Sequence, residues 1–147
     1  MSLIEEKLLS QGYSLDNHKA PVGNYLGCKR AGNLLYASGR VSELRGAVGT
    51  DVTEEEAKQA ARDTVLLILA IIKQETGNLD MLEGVVKMQG FIRSGPDFTR
   101  QPAVLDGASD LLIALFGEAG RHARTATGVN QLPFGASIQL DIIFTCR

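Results

Sequence analysis

TEEEAKQAARDTVLLILAIIKQETG, residues 53–77, carries the start, the body and the stop of one long helix. Thr53 offers a side-chain oxygen to the unpaired N–H groups of a first turn. Glu56, three positions on, can reach back to the Thr53 N–H, which completes a capping box. Glu54, Glu55 and Glu56 also lie at the positive end of the helix dipole. Ala57, Ala60, Ala61, Thr64, Leu67, Ile68 and Ile71 form an apolar stripe at helical spacing, and Val65, Leu66, Leu69 and Ile72 widen it. Gly77 suits the left-handed residue that closes a helix. So broad a stripe predicts that most of this helix is covered. A small sheet face alone would not cover it, which hints at an oligomer.

On the N-terminal side, residues 25–30 and 34–38 suit strands, and Arg30-Ala31-Gly32-Asn33 between them suits a hairpin turn. Gly46 and Gly49 mark a second loop. Leu3, Ile4, Leu8 and Leu9 predict an N-terminal helix over about residues 2–11, stopped by Gly12 and followed by a loop through Asp16, Asn17 and Pro21. On the C-terminal side, residues 82–92 read as a strand with Gly90 inside it, and Arg93-Ser94-Gly95-Pro96-Asp97 as a turn cluster. A second amphipathic helix follows over about 101–116, with Pro102 in its first turn and Gly117 at its end. Two strands, 123–129 and 137–145, flank a turn at Leu132-Pro133-Phe134-Gly135. Hairpin-linked strands mixed with two long helices predict an α+β fold with the helices on one sheet face. The other face is solvated or an interface.

Length and composition agree with one domain spanning residues 1–147. The net charge of −2 and the absence of Trp supply neither a strongly basic footprint nor an aromatic stacking surface for nucleic acid. The longest apolar run, 65–72, is far short of a membrane span. Acids near the N-terminus do not suit a secretion signal, so a soluble cytoplasmic protein is expected. Cys28, Cys146, His18 and His122 are isolated, so no metal-ligand spacing exists. A Cys28–Cys146 disulfide is disfavoured in a cytoplasmic chain, and Cys28 reads as a buried, inert thiol.

Alternation places Arg124, Ala126 and Gly128 on one face of their strand. Small neighbours leave room for a ligand, and the guanidinium can hold a carboxylate through two parallel hydrogen bonds. The bland alternative is an Arg124–Asp141 pair across the last two strands. On the final strand Ile138, Leu140, Ile142 and Phe144 point to the core, with Gln139 and Asp141 on the opposite face.

Gly120-Arg121-His122-Ala123-Arg124-Thr125-Ala126, then Leu132-Pro133 and the alternating strand 137–144, resemble the closing signature of the RidA (YjgF) family, reactive imine and enamine deaminases also called L-PSP endoribonucleases or translation inhibitors. Gly23-Asn24-Tyr25 and Gly32-Asn33-Leu34-Leu35-Tyr36-Ala37-Ser38-Gly39 resemble its opening, and the likeness runs from about Val22 to the C-terminus. The resemblance implies a chorismate-mutase-like mixed sheet with two long helices on one face. It also implies a homotrimer with ligand clefts between subunits, and no cofactor. Arg124 falls where the family's arginine grips the substrate carboxylate. Tyr25, Ser38, Gly39 and Ala126 fall at positions that line the cleft, and Gln139 falls where the deaminases carry a water-orienting glutamate. Ala126 replaces the motif cysteine, His122 the motif proline, and Arg40 the glutamine after Ser38-Gly39. A neutral amide orients water but is not a general base. Asp141 can take over the carboxylate role only if it reaches the cleft.

His122 can carry a proton, although a solvated surface histidine is the plainer reading. Asp106 reads as an exposed helix carboxylate near a family cleft position, Tyr36 equally as core or cleft, and Phe134 as packing. Three functions compete: hydrolytic deamination of 2-imino or enamino acids, non-catalytic binding or sensing of a small carboxylate by the same trimer, and RNA cleavage. The last is opposed by the net charge and by the lack of a histidine pair, though Arg40, Arg45, Arg121 and Arg124 offer a candidate basic patch.

Overall fold

The computed structural model describes residues 2–15 and 23–147. The expected loop residues Asp16, Asn17 and Pro21, and His18, lie outside them. The elements run α1 (Leu3–Ser10), β1 (Cys28–Ala31), β2 (Leu34–Val41), α2 (Glu54–Thr76), β3 (Leu82–Arg93), α3 (Gln101–Phe116), β4 (Ala123–Val129) and β5 (Ile138–Cys146). A single 3-10 turn at Pro133–Gly135 falls in the expected turn, whereas those at Leu79–Met81 and Gly117–Gly120 have no counterpart in the sequence reading. The capping box of α2 forms as the sequence requires. The Glu56 N–H donates to Thr53 Oγ1, and the Thr53 N–H to Glu56 Oε1, both at 3.0 Å. Gly77 closes the helix at φ 83°.

The five strands form one mixed sheet in the order β1-β2-β5-β3-β4. Only β3 and β4 are parallel; the other pairs are antiparallel. A parallel neighbour needs a crossover, and α3 supplies it. The last strand therefore enters the centre of the sheet, between β2 and β3. Residues Ile138, Leu140, Ile142, Phe144 and Cys146 turn inward beside Leu35, Met88 and Ile92 in one core under α2 and α3. The opposite face carries Tyr36, Lys87, Gln89, Phe91, Gln139, Asp141 and Ile143, and among the described residues no helix covers it.

Several expectations change here. The first strand starts at Cys28 rather than at Tyr25, which sits in a bend before it, and β2 runs on to Val41 through a bulge between Ala37 and Arg40. In α1 only Ile4 and Leu8 are buried, whereas Leu3 and Leu9 are exposed. The long helix does not call for an oligomer: Ala57, Ala60, Ala61, Val65, Ile68, Leu69, Ile71 and Ile72 are buried within one chain, because α3 and the sheet share the task. The uncovered surface is the open sheet face instead. Phe134 does not pack. It is 61% exposed and held at φ 61°, a backbone conformation that side-chain-bearing residues seldom adopt.

The helices approach closely at Gly107, where an added Cβ would lie 2.1 Å from the Lys58 backbone oxygen. Gly→Ala inside a helix ordinarily gains up to about 1 kcal/mol. Here the obstacle is backbone, and overpacking costs about 1–3 kcal/mol. Gly107→Ala is expected to lower the thermal midpoint by several degrees, and an unchanged or raised midpoint in calorimetry would contradict this packing.

Cys28 and Cys146 are both free and buried, and β2 separates their strands. The Cys28 thiol faces Glu75, with Sγ 3.4 Å from Oε2. Burial first, then the Glu75 carboxylate, push its pKa up to about 12. The folded protein thus holds this proton where the unfolded chain releases it, so Cys28 favours the fold below about pH 9 and loses that contribution as pH rises towards 12. Ellman's reagent at pH 8 should leave Cys28 unmodified until denaturant is added.

Candidate functional site

Arg124 lies on β4, the strand at one edge of the sheet. Its register partner on β3 is Met88, which is fully buried, so its side chain leaves on the helix side. There it meets α3. Nη1 donates to Asp106 Oδ1 at 2.8 Å and to Ser109 Oγ at 3.1 Å, and Nη2 donates to the Pro102 carbonyl at 3.3 Å. A guanidinium has five N–H donors, two on each terminal nitrogen and one on Nε. Both Nη1 hydrogens and one Nη2 hydrogen are used. Among the described residues Nε–H has no hydrogen-bond partner.

Behind Arg124 the contacts continue. His122 Nδ1 lies 2.6 Å from the Gly120 carbonyl, which only accepts, so Nδ1 carries the hydrogen. In the neutral ring Nε2 then accepts from the Ser109 hydroxyl at 2.9 Å. Asp106, Arg124, Ser109 and His122 make one chain of hydrogen bonds between α3 and β4. Asp106 and Ser109 are three residues apart on a helix, and His122 and Arg124 two apart on a strand, so each pair shares a face. That spacing was the available signal, and Ser109 is the residue sequence reasoning missed.

Three readings are corrected. Arg124 does not meet Asp141, because β3 lies between β4 and β5; its acid is Asp106. Asp106 is half exposed, as the sequence suggests, though ion-paired, whereas His122 is not a solvated surface histidine, since both ring nitrogens are engaged. The room beside Gly128 is also taken: a Cβ there would meet Gln101 Nε2 at 2.6 Å. Ala126 packs, half-buried, against the core.

A second group forms elsewhere. Ser38 and Gly39 occupy the bulge of β2. Ser38 Oγ donates to the Leu26 carbonyl at 2.6 Å, which ties the bulge to the segment carrying Tyr25, itself about half exposed. Gly39 lies against Gln139: a Cβ on it would stand 3.5 Å from Nε2. Gln139 registers with Phe91 on the open face, opposite to the face from which Arg124 projects. Tyr25, Ser38, Gly39 and Gln139 thus stand apart from Arg124 and Ala126: Gln139 on β5 is two strand spacings from β4, about 10 Å, and Ser38 and Gly39 on β2 are three, about 14 Å. Tyr36 is exposed on the open face.

Asp141 shares that face with Gln139. Burial raises its carboxyl pKa, against the opposing pull of its own backbone N–H and of Lys87. The suggested basic patch does not assemble: Arg40 is buried, Arg124 is paired with Asp106, and their strands lie at β2 and β4. Among the described residues no group of three or more His, Cys, Asp or Glu side chains is placed to hold a metal ion, and no helix is long and apolar enough to cross a membrane.

Sheet order and helix placement define a chorismate-mutase-like α+β protein. A family model described as "YjgF/chorismate mutase-like, putative endoribonuclease" matches residues 5–145. Protein TCP17 of Trypanosoma cruzi is 39% identical over 139 residues, covering 90% of this chain and 87% of the relative. The crystal structure of the Agrobacterium tumefaciens protein Atu1372 matches with a TM-score of 0.88 at 38% identity, covering 99% of this chain and 94% of that one. A structure from Shewanella oneidensis, called a "putative endoribonuclease", matches with a TM-score of 0.91 at 30% identity over 97% and 98% of the two chains. The chain belongs to the YjgF (RidA) family.

The Asp106–Arg124 pair is partly exposed, with side chains 50% and 23% accessible, so solvent screening limits its worth to less than about 1 kcal/mol. Ser109 is buried and joins two partners, and its loss leaves His122 and Arg124 each short of a contact, about 1–3 kcal/mol. Urea unfolding should therefore show Ser109→Ala to be more destabilising than Asp106→Ala; the reverse order would refute the buried link.

Proposed function

We propose that the protein hydrolyses reactive 2-imino or 2-enamino acids to 2-keto acids in the cytoplasm, with the substrate carboxylate on Arg124. The observation that carries this reading is the anchored guanidinium, held in place by Asp106, Ser109 and the Pro102 carbonyl with its Nε–H unpartnered among the described residues. An anchored arginine binds a carboxylate with little ordering cost.

The chemistry asks little more of the protein. A protonated imine carbon is already electrophilic, and a carboxylate clamp fixes it against an attacking water. Water adds to the carbon, the tetrahedral amino alcohol expels ammonia, and the 2-keto acid remains. Each turnover consumes one water and releases one ammonia, with no change of oxidation state and no cofactor. Gln139 positions the water through its amide and removes no proton. The amine freed from the substrate takes up the water's protons.

Arg124 and Gln139 project from opposite faces of one sheet, so a single copy cannot present both to one ligand. A homotrimer with clefts between subunits resolves this: the Arg124 edge of one copy meets the Tyr25, Ser38, Gly39 and Gln139 group of another. The open sheet face is the surface that such an assembly would cover.

The amide at position 139 favours a second reading, a trimer that binds a small carboxylate without turning it over. RNA cleavage is the weaker alternative. The one described histidine has both nitrogens engaged, and no unpaired arginine cluster forms.

A dehydratase-coupled assay separates the first two. With imine generated in place, the intact protein should speed 2-keto acid release at least tenfold, and Arg124→Ala should remove the effect. Gln139→Glu should keep or raise the rate. Unchanged release with the intact protein, together with saturable binding of a 2-keto acid lost in Arg124→Ala, would establish the binding reading instead.

A further inference from the structure

Glu75 breaks a local rule. It stands in the last turn of α2, at the helix end where the dipole favours a cation and disfavours an anion. A residue at odds with its own helix is kept there by what it meets elsewhere in the fold. Glu75 reaches the entry to β1 with both carboxylate oxygens: the Gly27 N–H donates to Oε1 at 2.7 Å and the Cys28 N–H to Oε2 at 2.9 Å. Gly27 permits the approach, since an added Cβ would run into the Ile71 side chain and stand 2.8 Å from Glu75 Oε1.

The same stretch of backbone is gripped from the other side by β2. Ser38 Oγ donates to the Leu26 carbonyl at 2.6 Å, and the Ser38 N–H to the Gly27 carbonyl at 2.9 Å. Two successive peptide units, Leu26–Gly27 and Gly27–Cys28, thus have both carbonyls held by Ser38 and both N–H groups held by Glu75. The bonds to the carboxylate are charge-assisted, the stronger kind. Tyr25, one residue before this clamp, is 46% exposed and Leu26 is 59% exposed, so burial fixes neither. Where Tyr25 stands therefore depends on the backbone that follows it.

We propose that Glu75 is a positioning residue of the carboxylate site. It touches no substrate; through residues 26–28 it fixes Tyr25 beside the Ser38-Gly39 bulge, and so sets the wall against which the ligand lies. The inference rests on the reading that Tyr25, Ser38 and Gly39 line that site. A wall without its anchor must be ordered by the ligand itself, which costs affinity. Arg124 takes its hold from α3 and Gln139 from β5, and neither hold passes through Glu75. Loss of Glu75 thus weakens binding and spares the maximal rate. Glu75→Gln keeps one acceptor oxygen and turns an NH2 group towards the other N–H, so half of the grip remains.

Calorimetric titration with 2-ketobutyrate reads the affinity of the site whether or not it turns substrate over, and the dehydratase-coupled assay reads the maximal rate. The intact protein, Glu75→Ala, Glu75→Gln, Tyr25→Ala and the double variant Glu75→Ala with Tyr25→Ala are compared at a temperature where circular dichroism shows each to be folded. Glu75→Ala should raise the dissociation constant at least fivefold and, where there is turnover, leave the maximal rate within about twofold of the intact protein. Glu75→Gln should fall between the two. Because Glu75 acts through Tyr25, the double variant should bind no more than about twofold more weakly than Tyr25→Ala alone. An unchanged dissociation constant in Glu75→Ala, a maximal rate that falls as far as the affinity, or losses that multiply in the double variant overturn the positioning role while leaving the site standing. If Glu75→Ala does not fold, Glu75→Gln, of the same shape, carries the comparison. An intact protein that neither binds 2-ketobutyrate nor speeds 2-keto acid release overturns the reading of the site, and the inference with it.

Discussion

The position of β5 governs the rest of the molecule. It lies between β2 and β3, hydrogen-bonded along both edges, and its strict alternation sends Ile138, Leu140, Ile142, Phe144 and Cys146 under the helices and Gln139, Asp141, Ile143 and Thr145 to the other side. A one-residue slip would exchange the two sets, burying an amide and a carboxylate among leucines. The register of β5 is therefore strongly specified. With it comes the placement of every polar group on the open face.

The same insertion separates the chemistry. Because β5 does not pair with β4, Arg124 is left on an edge strand beside α3, with Asp106 and Ser109 to hold it, and Gln139 is left two strands away on the opposite face. The helix side of the sheet supplies a preorganised cation and the open side supplies an amide beside a flat glycine bulge. Within one copy the two therefore stand on opposite faces, and α2 and α3 pack on the side from which Arg124 projects.

Much of this was legible in the residues. The capping box at Thr53 and Glu56, the stop at Gly77, the extent of α3 with Pro102 in its first turn and the two-faced pattern of the last strand are local matters: hydrogen bonds within one turn, or side-chain alternation with a period of two. Arg124 was legible by the same alternation and by its motif. The partners were not. Asp141 was the reasonable acid for Arg124 as long as consecutive strands were taken as neighbours, and nothing local excludes that. Likewise α2 looked too apolar for one chain to cover, since its apolar stripe shows how much surface must be hidden but not how much the second helix hides.

The sequence by itself determined the kind and order of the main elements, the side of each strand that faces the core, and that Arg124, Ala126 and Gly128 share a face. These depend on contacts between residues close in the chain, where spacing and geometry are nearly the same thing. Tertiary structure alone decided that β5 is central and β4 an edge. It also decided that Ser109 joins Arg124 to His122, that Gln139 and Arg124 look in opposite directions, and that Arg93 Nε and Asp141 Oδ1 are buried without a hydrogen-bond partner among the described residues. Those outcomes depend on which distant strands pair, a choice made by the whole core at once as it buries its apolar faces.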